Sequence, residues 1–360
     1  MQKRHTTGQA GMRLVRKVLR VVMVCTLPAG ISSCSNQSEV ALDTPAFTVP
    51  KNFPAPVYAL DRNRITAAGV ELGRMLFFDA RLSRDKSISC AECHSQPYAF
   101  THHGHDVSHG IDNRVGTRNS LPIQNLAWSN SFFWDGGVLD LDLVPVAPIE
   151  NPLEMDETLY NVLEKLRKDS TYPKKFKAAF GTEEVTTARF LQALSQYMLT
   201  LVSANSRYDK YVRNEGVTLT ADELAGKQLF VQKGCANCHA GELFTDNKFR
   251  NNGLSLAFGT DLGRGRITEA PQDNYTFKVP SLRNVGVSFP YMHDGRFRTL
   301  EAVLDHYAEG VTETPNLDPL LKQNGRLGIP MTAGEKAQII AFLKTLTDEE
   351  FLKNPQFIQK

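Results

Sequence analysis

The chain carries two copies of one short motif, Cys90-Ala91-Glu92-Cys93-His94 and Cys235-Ala236-Asn237-Cys238-His239, and no other feature constrains its fold as much. C-x-x-C-H is the attachment signature of c-type haem. Two thiols three positions apart can each add to one vinyl group of the same porphyrin, and the histidine that follows presents its imidazole to the iron. Blander readings fit less well. A zinc site built from both Cys pairs would not need a histidine directly after each. A redox dithiol usually sits in a thioredoxin-like βαβ pattern, for which the sequence gives no sign. An exported chain could also close two disulfides. Two complete copies outweigh these, and the chain reads as a protein with two covalently bound c-type haems. Cys90, Cys93, Cys235 and Cys238 are then the attachment residues, and His94 and His239 the proximal iron ligands.

Each motif follows a similar lead-in. ELGRMLFFDARLSRDKSIS precedes the first and ELAGKQLFVQKG the second, and both contain Gly-x-x-Leu-Phe, starting at Gly73 and Gly226. Apolar residues at Val70, Leu72, Met75, Leu76 and Phe77 suggest a helix entering the site, and Thr220-Ala221-Asp222-Glu223 matches a capping box for the second. The weak repeat predicts a mainly α fold of two tandem cytochrome c-like domains with long irregular loops, spanning residues 56–212 and 213–360. A length of 360 residues suits two domains at about 150 residues each. Helical periodicity predicts a long buried helix over Thr186–Ser203 and a last helix over about Gly334–Leu346. The Pro- and Gly-rich stretch Asp135–Pro152 is expected to be irregular.

The first 33 residues hold six Lys and Arg, the last at Arg20, and no acid; the short apolar run VVMVCTLPAGI follows Arg20 and runs into ISSC at Ile31–Cys34. Basic n-region, short apolar h-region and small residues near a cleavage point are the layout of an export signal. ISSC resembles a bacterial lipobox, in which Cys34 becomes a lipidated first residue, and residues 34–55 read as a tether. The alternative is an uncleaved anchor over Leu14–Leu27, although the apolar run is short for a membrane span. In either case the body is expected in the periplasm, held to a bacterial membrane. Beyond residue 33 there are 35 Lys and Arg against 39 Asp and Glu, a net −4. That balance does not favour nucleic acid as a partner.

With two C-x-x-C-H motifs in place, FFWDGG (Phe132–Gly137), PIENPLEM (Pro148–Met155), VPSLRNV (Val279–Val285), FPYMHDG (Phe289–Gly295) and FLKTLT together resemble the bacterial dihaem cytochrome c peroxidases. They are also similar to the close relative that matures methylamine dehydrogenase. The resemblance runs from about Glu71 to the C-terminal region. It implies that the N-terminal haem reacts with peroxide and the C-terminal haem receives electrons. Trp134 matches the tryptophan placed between the haems as an electron conduit, against the plainer role of a buried core aromatic. A polar partner for its indole N–H is expected. Glu154 matches the family's distal-pocket glutamate, suited to moving a proton between the two peroxide oxygens. Pro148 matches the proline lining that pocket. Val144 departs from the pattern, since family members often carry Gln there. Asn119 resembles the asparagine beside an interhaem calcium ion, with carbonyls from 288–290 as co-ligands.

The distal ligands follow from the same resemblance. Many relatives cap the first oxidised iron with a histidine from the loop that here reads THHGHDVSHG. Counted back from Trp134, the capping position is Ile111, so the first iron is expected to stand open, with His109 two residues away as the rival cap. His102, His103 and His105 read as surface loop histidines. On the second iron, the place of the family's distal methionine is Tyr307, with His306 as the alternative. Phenolate would lower the potential relative to thioether. Met292 reads as packing, and Tyr291 and His293 as shaping the haem surroundings. The expected activity is reduction of H2O2 to water with electrons from a small redox donor protein, a cytochrome c or cupredoxin, and family members are often homodimers. The alternative is a maturation-type dihaem oxidase that modifies a partner protein through a high-valent haem state. A non-catalytic dihaem electron carrier is the third reading.

Overall fold

The computed structural model describes residues 47–256 and 259–358. The expected signal, Cys34 and most of the tether lie outside them. The described residues belong to one compact unit, mainly helical with little sheet. In chain order the helices are α1 (Ala67–Phe77), α2 (Cys90–Cys93), α3 (Val146–Glu150), α4 (Leu159–Lys168), α5 (Tyr172–Phe180), α6 (Thr187–Thr200), α7 (Arg207–Val212), α8 (Ala221–Gln232), α9 (Gly265–Thr268), α10 (Leu300–Asp305), α11 (Ala333–Lys344) and α12 (Glu349–Lys353). Two antiparallel pairs of two-residue strands complete it. They are β1 (Phe249–Arg250) with β2 (Phe277–Lys278), and β3 (Lys322–Gln323) with β4 (Arg326–Leu327). No helix among the described residues is long and apolar enough to cross a membrane.

Helix starts follow local chemistry. The Thr66, Thr186 and Thr299 side chains accept the orphan N–H groups of α1, α6 and α10. The predicted capping box is present on α8, where Thr220 and Glu223 satisfy each other's backbone, and Thr332 and Glu335 repeat it on α11.

The Gly-x-x-Leu-Phe repeat has a packing cause. The most extensive helix contacts are α1 on α6 and α8 on α11. At each crossing the glycine is the point of closest approach. A Cβ on Gly73 would stand 1.9 Å from the Ala193 carbonyl oxygen, and one on Gly226 would stand 1.8 Å from that of Gln338. Leu76, Phe77 and Phe230 then bury beside the crossings. One hydrophobic cluster draws on Phe53 through Ala204, the other on Tyr208 through Leu346. Phe351 and Leu352 of α12 return to the first cluster, where the Gln96 amide donates to the Phe351 carbonyl at 2.9 Å.

A buried polar seam joins the segments around the two clusters. Arg283 and Asp209, both fully buried, form a two-pronged pair at 2.9 and 2.8 Å. The guanidinium also lies 4.4 Å over the Phe53 ring. Next to it, Asn284 donates to Gln124 at 2.5 Å and to Ser203 at 2.9 Å, and accepts from the Asp348 N–H at 2.7 Å. VPSLRNV is therefore, in part, a structural joint.

Candidate functional site

Both C-x-x-C-H motifs fold the same way. Cys90–Cys93 forms the one-turn α2, and Cys235–Asn237 a short 3-10 turn, so each pair of thiols falls on one side of its turn. Each histidine N–H closes the turn on the first cysteine's carbonyl at 3.0 Å. His94 Nδ1 lies 2.7 Å from the Phe100 carbonyl oxygen. His239 Nδ1 lies 3.1 Å from that of Phe244 and 3.2 Å from that of Pro280. In both rings this places the proton on Nδ1 and leaves Nε2 free to ligate a metal, as in metal-bound imidazoles whose other N–H is held by a carbonyl. Burial pulls His94 down to about 4, so the ring is neutral.

The four cysteines are free. Burial pushes Cys90 up to about 12 and Cys93 and Cys235 up to about 11, opposite to the depressed thiol of a redox dithiol. Among the described residues no three His, Cys, Asp or Glu side chains converge to hold a metal ion. A cavity of about 220 Å³ opens beside Cys235, Cys238 and His239, with Leu282, Val285, Leu304, Ile329, Ile339 and Leu343 in its wall. An apolar slot with paired thiols and one free imidazole nitrogen fits a covalently attached porphyrin.

Around the first motif, PIENPLEM builds a tight turn. The Met155 N–H donates to the Pro148 carbonyl at 3.1 Å, and the Glu157 N–H to that of Ile149 at 2.9 Å. This turn holds the half-buried Glu154 close enough to Cys90 and Cys93 for its charge to act on both thiols. Burial raises Glu154 above the usual carboxylate range, and the Asn151 amide, donating at 2.9 Å, only partly offsets this. Val144 packs against the first cluster and adds no polar group.

The histidine loop is pinned by bridges between Ser95 and Thr101 and between His109 and Val115. Ile111 is buried and donates its N–H to the Glu154 carbonyl at 2.8 Å. The half-buried His109 ring lies 4.1 Å from that of His105, and its carbonyl faces the Cys93 sulfur at 3.4 Å. His102 departs from the surface expectation. Its ring is buried among those of His105 and His109, with Nδ1 lacking a partner. His103 is exposed and stacks on Tyr98 at 3.6 Å.

FFWDGG and PYMHDG prove to be two copies of one turn. Phe132 bridges Val138 and Tyr291 bridges Phe297, each through an N–H···O bond of 2.7 Å. Phe133 and Met292 take φ of 65° and 72°, and Gly136 and Gly295 follow at 64° and 69°. Trp134 and His293 occupy equivalent places, and their rings meet edge-on at 6.4 Å. The Trp134 indole donates to the Asn119 carbonyl at 2.8 Å, the polar partner expected for it. The Asn119 side-chain amide donates to the Pro290 carbonyl at 2.6 Å, and its own buried Oδ1 has no partner. An unsatisfied oxygen beside backbone carbonyls is a donor set suited to a hard cation.

The wall of the cavity beside Cys235, Cys238 and His239 also includes Tyr307 and Met292 but not His306. His306 begins a wide π-type turn, His306–Gly310, and its Nε2 lies 3.1 Å from the Asn252 carbonyl. The turn brings Tyr307 to the cavity, where its hydroxyl hydrogen-bonds the Asn252 side chain and burial pushes it up to about 12. The same Asn252 amide reaches the Met292 sulfur at 3.5 Å. Asn252 and Lys278, both in this wall, were not singled out from the sequence. Neither belongs to a chemical motif, and only the folded wall reveals them.

The family described as di-haem cytochrome c peroxidase matches residues 67–217, which contain the first C-x-x-C-H, Trp134 and Glu154. Over 340 residues the chain is 37% identical to the methylamine utilization protein MauG of Methylorubrum extorquens, covering 91% of each chain. It is 35% identical over 284 residues to a cytochrome c551 peroxidase of Nitrosomonas europaea, covering 78% of this chain and 80% of that one. A solved MauG-like protein associated with microbial copper homeostasis superposes with a TM-score of 0.77 at 33% identity, covering 86% of this chain and 97% of that one.

Proposed function

This chain belongs to the family of di-haem cytochrome c peroxidases and MauG-type proteins, and from that premise we propose that it reduces hydrogen peroxide to water in the periplasm. The electrons come from a small donor such as a cytochrome c or cupredoxin, two per peroxide, with two protons completing two water molecules. The observation that carries this reading is Glu154, a half-buried carboxyl with no ion-pair partner among the described residues, beside the first pair of thiols. A haem bound there through Cys90, Cys93 and His94 supplies the iron that takes peroxide. Glu154 in its carboxylate form accepts the proton of the near oxygen at Oε and returns it to the far one, while the Asn151 amide fixes its orientation. Pro148 shapes the turn that holds Glu154, and Ile111 leaves the facing side free of an imidazole. Cys235, Cys238 and His239 would hold the second haem, with Tyr307 in the same cavity wall as a further candidate ligand, and Trp134 would pass electrons between the two sites.

The rest of the assignment follows the same premise. Residues 56–212 and 213–360 each carry one haem, and Asn119 with the Pro290 carbonyl holds a calcium ion. Lipid on Cys34 anchors the chain, which pairs as a homodimer. A second reading is favoured by Tyr307 in the cavity wall and by Ile111 at the capping place, namely oxidation of a partner protein after peroxide treatment. Stopped-flow mixing of the reduced holoprotein with peroxide and a reduced small cytochrome c tests the choice. Rapid oxidation of two cytochromes per peroxide supports the peroxidase. Slow turnover with a long-lived oxidised state supports the second reading, and no reaction with peroxide, cyanide or CO leaves only an electron carrier.

A further inference from the structure

Lys278 is the second residue of β2. Its backbone N–H donates to the Trp134 carbonyl at 2.8 Å, and its side chain runs inward until Nζ donates to the Ser131 carbonyl at 2.6 Å. The residue lines the cavity beside Cys235, Cys238 and His239. Lys278 is half-buried, and an ammonium turned inward loses part of its hydration, which one carbonyl dipole replaces only in part.

The other cations of this wall are matched by acids. Arg250 has Asp246 and Asp318, each at 2.5 Å, and Lys233 has Glu335 at 2.7 Å. Lys278 has no acid within ion-pair distance among the described residues, and burial alone pulls it down to about 8. The wall therefore presents one positive charge without an acid partner among the described residues to a mostly apolar slot. The group that fills such a slot should bring the missing negative charge.

We propose that Lys278 is the counter-ion of a propionate on the porphyrin held at Cys235, Cys238 and His239. This rests on reading that motif as a haem site. A haem carries two carboxylates at one edge, and Lys278 meets one of them on the side of the cavity where Trp134 stands. Because its backbone is bonded to the Trp134 carbonyl, one residue ties the conduit segment to the porphyrin edge. The ammonium also offsets the negative charge of the propionate, and so favours ferrous over ferric iron at the second site.

The test uses the full-length holoprotein with Lys278→Gln, Lys278→Met and Lys278→Arg. Haem is counted by pyridine haemochrome, and the midpoint potential of each haem is followed by EPR-monitored redox titration. Lys278→Gln keeps an N–H donor for Ser131 but loses the charge. It and Lys278→Met should shift the second haem toward ferric by about tenfold, or 59 mV. Lys278→Arg should restore the wild-type potential, and the first haem should not move. Unchanged potentials in both neutral variants would overturn the proposal, as would a shift that Lys278→Arg fails to restore, which marks a clamp on Ser131 and not a charge pair. A wild-type protein carrying a haem only at the first motif would instead defeat the haem reading beneath it.

Discussion

At Glu154 a half-buried carboxyl has an amide for company and no cation, so its proton affinity is raised by desolvation. If its carboxylate form works as the base, kcat/KM for peroxide should fall with decreasing pH through an acid limb above the ordinary glutamate range. Glu154→Gln should abolish that limb and lower kcat/KM by roughly 10²–10⁴-fold with haem content intact. The same substitution should raise Tm. A carboxyl whose folded pKa is raised weakens folding at any pH above its unfolded value, and glutamine carries no such penalty. The iron faces are tested in the same way. EPR of the oxidised protein should show one high-spin haem that His109→Ala leaves unchanged, and a low-spin signal that Tyr307→Phe alone removes. Loss of a low-spin signal in His109→Ala would identify that ring as a cap. Residues at this scale were legible where covalent chemistry dictates a spacing, as in C-x-x-C-H. His102 was misjudged because polar neighbours in the sequence gave no hint that its ring folds under those of His105 and His109.

Among the elements, the helix crossings give the sharpest expectations. Gly226→Ala would gain helix propensity of about 1 kcal/mol, but its Cβ would meet the Gln338 carbonyl at 1.8 Å. Backbone must move, and the overpacking cost should win, lowering stability by about 1–3 kcal/mol in urea unfolding. Gly73→Ala should behave alike against Ala193. Gly334→Ala is the control, since nothing stands within 4 Å of its Cβ, and it should stabilise by about 0.5–1 kcal/mol. The lead-in helices, the Thr220 capping box and the helix now seen as α6 were readable because caps and apolar periodicity are local. The long helix ends at Thr200 and α11 at Lys344, a few residues short of the periodicity, and the short α12, not α11, is the last helix among the described residues. The region 135–152 holds the short α3 within its loops, a single turn too brief for a period to register. The shared turn of FFWDGG and PYMHDG escaped notice because its backbone is repeated while its central side chain changes from Trp134 to His293. The π-type turn at His306 is likewise set by tertiary contacts, so the sequence left His306 and Tyr307 as alternatives.

Across the whole molecule, stability should depend heavily on the seam around Arg283. Arg283→Met would leave Asp209 buried without its cation and should cost about 3–5 kcal/mol. The double variant Arg283→Met with Asp209→Leu should recover a large part of that loss in a denaturant cycle, whereas additive losses would show that the pair acts independently. Two hydrophobic clusters could be anticipated from the repeat, but the return of α12 to the first cluster could not, because Phe351 and Leu352 look like any amphipathic tail. The glycine crossings also bear on the order in which the chain is assembled. Each C-x-x-C-H comes soon after its lead-in helix, α1 or α8, whereas the partners α6 and α11 arrive much later in the chain. Such long-range pairings close slowly, and synthesis runs from the N-terminus. Each pair of thiols therefore precedes in the chain the helix that completes its core, and if haem is attached as proposed, the slow closing of that long-range pairing would leave an interval for the porphyrin to be joined to them.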